Sequence, residues 1–124
     1  MIKQFILVGV GGGAGSILRY LTSLWVDKYV HPSHFPLATF VVNVIGCLLI
    51  GLLIGLSARY ELFDRELKLL LVTGFCGGYT TFSTFSSENL RLLETQNYSL
   101  FFTYIIGSIL TGLLAVWLGF LLTK

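Results

Sequence analysis

Residues Gly74–Glu88 read GFCGGYTTFSTFSSE: three glycines, a run of serine and threonine, and three phenylalanines, with no charge before Glu88. Glycine loses more backbone freedom on ordering than any other residue, and the β-branched Thr80 and Thr81 are stiff at χ1, so a helix through this stretch is weak. Two structures compete. One is a local unwinding near residues 77–80; the other is a continuous helix whose glycine face packs on a neighbour. The stretch belongs to an uncharged segment, Leu69–Ser87, long enough to lie at membrane depth. Unwound backbone at that depth leaves carbonyls unpaired, which is tolerated only inside protein or along a wet cavity, often with a bound cation.

The rest of the chain supports the membrane setting. Of its 124 residues 55% are hydrophobic and 11% charged, with a mean hydropathy of +0.84, whereas soluble domains carry roughly a quarter charged residues. A helix crosses the hydrocarbon core with about 20 apolar residues. Four spans qualify, at about 5–26, 37–58, 67–94 with a break near 77–80, and 99–122, giving an all-α integral membrane protein of one domain over 1–124. The connectors are short: Asp27–Pro36, Arg59–Lys68 and a polar patch around Glu94–Ser99. They leave no room for a soluble catalytic domain. The N-terminal apolar run lacks a small-residue cleavage site and is read as a retained helix. Cys47 and Cys76 lie in apolar segments at a spacing that matches no zinc or redox pattern. A net charge of +2 without basic clustering excludes a nucleic-acid partner.

Lys3, Arg59, Arg65, Lys68 and Lys124 fall on the face holding both termini, against Lys28 and Arg91 opposite, which favours termini inside. The bias is small enough to permit insertion in both orientations. Lipid supplies no hydrophobic force between helices, so spans meet through small residues. Such stripes run through Gly9, Gly12, Gly13, Ser16 and Tyr20; through Asn43, Gly46, Cys47, Gly51 and Gly55; and through Tyr104, Ser108, Thr111, Gly112, Ala115 and Gly119.

Two polar residues interrupt these apolar spans. Asn43 needs partners at mid-span, which either a neighbouring helix or a wet cavity can supply. Arg19 either reaches the interface or pairs with a carboxylate such as Glu88. Gly9–Ala14 fits the G-x-G-x-x-A dinucleotide pattern, but that motif requires a strand, turn and helix of a parallel sheet, and four spans leave no such sheet. Beyond the expected break, Phe82 and Phe85 share one helix face, with Ser83, Ser87, Thr80 and Thr84 on adjacent faces. The ring pair is either plain core or a lining whose positive edges favour an anion.

The run Gly77–Phe85 (GGYTTFSTF), with Thr39–Gly46 (TFVVNVIG) and the segment from Gly11 to Arg19 and Tyr20, closely resembles the Fluc or CrcB family of fluoride channels. The similarity extends over all four spans. It implies an antiparallel, dual-topology homodimer in the cell's inner membrane, multi-pass, that exports fluoride passively and relieves its toxicity. By position, Phe82 and Phe85 would turn ring edges to fluoride and Asn43 would donate its amide to the ion. Ser83 and Thr84 would add hydroxyls near the pore, and Tyr104 and Ser108 would belong to a polar track. Carbonyls of Gly77 and Thr80 would hold a structural sodium at the dimer centre. Rival functions are a small dual-topology multidrug transporter, which needs an acid deep in a span, and a non-conducting assembly subunit. An enzyme would need a nucleophile and base or a metal cluster, and His31 and His34 sit together in a connector.

Overall fold

A computed structural model describes residues 1–31, 33–61 and 63–124. Among the described residues all regular structure is helical. Helices α1 (Ile2–Tyr29), α2 (Leu37–Arg59) and α6 (Tyr98–Thr123) hold 28, 23 and 26 residues. At 1.5 Å per residue they are about 35 to 42 Å long, enough to cross a bilayer. The third span is composite: α3 (Arg65–Lys68), a π-helical stretch (Leu69–Cys76), α4 (Gly77–Tyr79), and then α5 (Ser83–Glu94) beyond an interruption at Thr80–Phe82.

Local chemistry sets these ends. Pro36 precedes the first residue of α2 at φ −78°, where its missing N–H costs nothing. The Asp64 carboxylate accepts from the Leu67 amide at 2.8 Å and starts α3. α5 stops where Gln96 turns left-handed (φ 58°); the Asn97 and Gln96 amides then bond the Leu92 and Leu93 carbonyls at 2.8 and 3.0 Å, the pattern that satisfies a helix C-terminus.

The break lies later than expected. Gly77 is helical at φ −62°, ψ −37°, whereas Thr80 is extended at φ −82°, ψ 158°. Weak helix propensity at the glycines did not place it; the Asn43 carboxamide, which bonds both the amide and the carbonyl of Thr81, competes there for the backbone.

Two seams hold the bundle. α2 packs along α6, and a methyl group added at Gly51 would land on the Val116 carbonyl. α1 packs along the π-helical stretch and α4. Here the stripe is corrected by a register. Gly11 and Gly15, one turn apart, are the buried pair, and a Cβ on Gly15 would stand 2.8 Å from the Tyr79 amide. Gly12 and Ser16 edge this seam, with the Ser16 hydroxyl donating to the Gly78 carbonyl at 3.5 Å, while Gly9, Gly13 and Tyr20 are exposed. The difference arises because α1 meets backbone there, not side chains, and only glycine permits so close an approach.

Most large apolar side chains face outward, Ile6, Ile17, Trp25, Leu113, Trp117 and Leu122 among them. In water such a surface would aggregate; in a bilayer it faces lipid or another helix.

Candidate functional site

The interruption of the third span is held by α2. Asn43 Oδ1 accepts from the Thr81 amide at 2.9 Å, and Asn43 Nδ2 donates to the Thr81 carbonyl at 3.1 Å. One side chain thus satisfies both polar groups of an unwound residue, which at membrane depth would otherwise be costly. Thr81 Oγ1 in turn accepts from the Thr84 amide at 3.3 Å. In an unbroken helix the Thr81 and Thr84 amides would bond the Gly77 and Thr80 carbonyls. Both donors are taken by side chains here, so those two carbonyls lose their helical partners. A pair of freed backbone carbonyls suits a hard cation such as sodium. By contrast, the Cys76 carbonyl is occupied, accepting from the Thr80 amide at 3.0 Å and its hydroxyl at 2.9 Å.

Next to the break lies a groove of about 300 Å³ lined in part by Asn43, Cys47, Thr81, Phe82, Phe85 and Ser108. The Phe82 and Phe85 rings stand 5.9 Å apart, tilted by 37°. Phe85 also meets the Tyr104 ring edge-on, with centroids 4.8 Å apart at 64°. That contact fixes Phe85, whereas Phe82 is 79% exposed. The Ser108 hydroxyl is buried without a partner among the described residues, and Asn43 Nδ2 keeps one N–H beyond its bond to Thr81. Two polar donors and two aromatic rings therefore converge on one apolar groove. Ser83 and Thr84 do not line it: both are exposed, and Thr84 lines a different cavity.

Tyr104 is fully buried and its hydroxyl donates to Glu88 Oε1 at 3.2 Å, while Thr39 Oγ1 donates to Glu88 Oε2 at 3.0 Å. This bridge ties α2, α5 and α6 together, and sequence reasoning missed it because its three members are far apart along the chain. Glu88 does not pair with Arg19. Arg19 instead lines a second cavity of about 250 Å³ with Ser16, Tyr20 and Thr84, whereas Glu88 borders a third, near the first connector, of about 480 Å³ with Asp27, His31, His34 and Arg91. Tyr104→Phe keeps the ring packing and deletes one donor to a carboxylate, so it is expected to cost about 1.5–3 kcal/mol. The thermal unfolding midpoint in detergent measures that loss.

The profile of the family described as CrcB-like protein, Camphor Resistance, matches residues 6–120. The chain belongs to the CrcB family. Relatives run the full length: a protein of Azobacteroides pseudotrichonymphae is 48% identical over 124 residues, covering 100% of this chain and 98% of its own. One of Flavobacterium psychrophilum is 48% identical over 123 residues, at 99% and 98% coverage. One of Azotobacter vinelandii is 47% identical over 124 residues, at 100% and 99%. Each of the three bears the name fluoride-specific ion channel FluC. This CrcB chain is thus a multi-pass membrane protein, and the matched residues include the groove, the break and the Thr39–Glu88–Tyr104 bridge.

Proposed function

We propose that this CrcB chain is a passive, fluoride-selective channel of the cell's inner membrane that lets fluoride out and so relieves its toxicity. The observation that carries the proposal is the groove where Phe82, Phe85, Asn43 and Ser108 converge; the names of the full-length relatives agree with it. Fluoride is small and strongly hydrated, so a selective path must replace its water with close donors. A fixed cation in the groove would hold the ion too firmly to pass. An amide N–H, a hydroxyl and the positive edges of two rings each bind weakly, which suits passage between successive sites.

One copy leaves this path open on one side, with Phe82 79% exposed. An antiparallel second copy would enclose it and cover the exposed Gly9 and Gly13. The modest Lys and Arg bias, five on the face holding the termini against two opposite, permits insertion in both orientations. At the centre, Gly77 and Thr80 carbonyls from each copy would hold a structural sodium, which supplies positive charge and cohesion between the two broken helices. The chain's own part is to offer those carbonyls free of amide partners. Tyr104 serves the path indirectly, by packing Phe85 and holding Glu88.

A multidrug exporter would need an acid in the transport groove. Glu88 has both oxygens occupied and borders the connector-side cavity instead. The two functions differ electrically. In liposomes, fluoride efflux through a channel should stall as charge builds up and resume when a potassium ionophore is added. Efflux that continues at the same rate without the ionophore would point to proton coupling.

A further inference from the structure

We propose that Asn43 is a positioning residue for the cation site: by keeping the third span broken it frees the carbonyls that bind the cation, resting on the channel function proposed above. Its carboxamide forms the two-way bond with Thr81, accepting from the amide at 2.9 Å and donating to the carbonyl at 3.1 Å. The Thr81 amide is the donor that an unbroken helix would give to Gly77. Asn43 Oδ1 intercepts it, so the Gly77 carbonyl is free because Asn43 is present.

The neighbouring geometry serves the same end. Gly46 is three residues beyond Asn43 on the same face of α2, and a Cβ there would land on the Thr80 side-chain methyl. α2 thus presents an acceptor to the Thr81 amide and a gap to Thr80, and both are needed for Thr80 to stay extended at ψ 158°. Asn43 also lines the groove. One residue therefore joins the anion path to the cation site: Oδ1 governs the break, and Nδ2 keeps one N–H beyond its bond to the Thr81 carbonyl.

This division gives a test that separates the two ends. Asn43→Asp keeps an oxygen for the Thr81 amide but offers a negative charge to the groove; Asn43→Leu has neither acceptor nor donor. Fluoride flux should fall in both. Sodium binding should fall furthest in Asn43→Leu. Sodium is titrated into the full-length purified dimer in a background of a large organic cation, and the sodium-dependent rise in unfolding midpoint is followed. Asn43→Leu should need roughly tenfold more sodium than the wild type, the equivalent of one hydrogen bond, whereas Asn43→Asp, which keeps the acceptor for the Thr81 amide but loses the donor to its carbonyl, should need less than Asn43→Leu.

If Asn43→Leu yields no folded protein, Asn43→Ala carries the test. It removes the acceptor for the Thr81 amide without adding bulk, so it too should need roughly tenfold more sodium than the wild type, and a wild-type response would overturn the proposal. Asn43→Leu responding like the wild type would overturn it too, as would an Asn43→Asp response as weak as that of Asn43→Leu. A wild type indifferent to sodium would also end it, yet fluoride flux in the same preparation would leave the channel function standing.

Discussion

Phe85→Ile is expected to slow fluoride flux by about a hundredfold or more, with the protein still folded and dimeric. Isoleucine fills part of the ring's volume but has no positive edge to offer an anion. The ring also anchors the groove through its edge-on contact with Tyr104, at 4.8 Å between centroids. Each 1.4 kcal/mol of stabilisation lost where the ion is most exposed slows passage about tenfold. Removing the ring takes away its own contact with the ion and loosens Phe82, whose ring lies 5.9 Å away, so two such contributions go together. Phe82→Ile should impair flux as well, with less effect on folding because Phe82 is 79% exposed within one copy. Efflux from liposomes, paired with size-exclusion chromatography of the same samples, checks both variants. Unchanged flux in either would remove that ring from the path.

Gly51→Ala should be the most damaging small change to the fold. The added methyl would fall on the Val116 carbonyl, and across the same seam a Cβ on Gly119 would meet the Leu48 carbonyl and stand 2.7 Å from the Leu52 amide. These obstacles are backbone, which cannot turn aside as a side chain can. Overpacking typically costs about 1–3 kcal/mol and more where backbone must move, so Gly51→Ala is expected at or above the top of that range. Gly9→Ala is the control, since nothing lies within 4 Å of the added carbon. The folded single chain should tolerate it, and any loss of dimer there would report a contact with the second copy. Unfolding midpoints of the two variants that coincide would contradict the close α2–α6 seam.

What could be read from the residues, and what could not, divides along physical lines. Membrane-length spans depend on composition summed over about 20 residues, so all four were legible in runs such as Leu37–Ala58. Residues on one face of one helix were legible too, because helical spacing alone places Phe82 beside Phe85. The break was legible only as a tendency. Its position depends on Asn43, which lies 38 residues before Thr81, and no local pattern reveals which backbone amide a distant carboxamide will intercept. The π-helical stretch Leu69–Cys76 left no mark in composition either. Gly11 and Gly15 carry a visible signal, a G-x-x-x-G spacing, but five glycines crowd Gly9–Gly15 and periodicity does not choose among them. Charge alone offers Glu88 as a partner for Arg19. It is held instead by two hydroxyls, Thr39 and Tyr104, whose shared neighbourhood only the folded chain defines.

The most direct measurement is anion efflux from liposomes containing the purified wild-type chain, followed with fluoride- and chloride-selective electrodes, a potassium ionophore being present. Fluoride should empty from protein-containing liposomes while chloride stays at the level of protein-free controls. Equal rates for the two anions, or no fluoride release, would contradict a fluoride-selective channel.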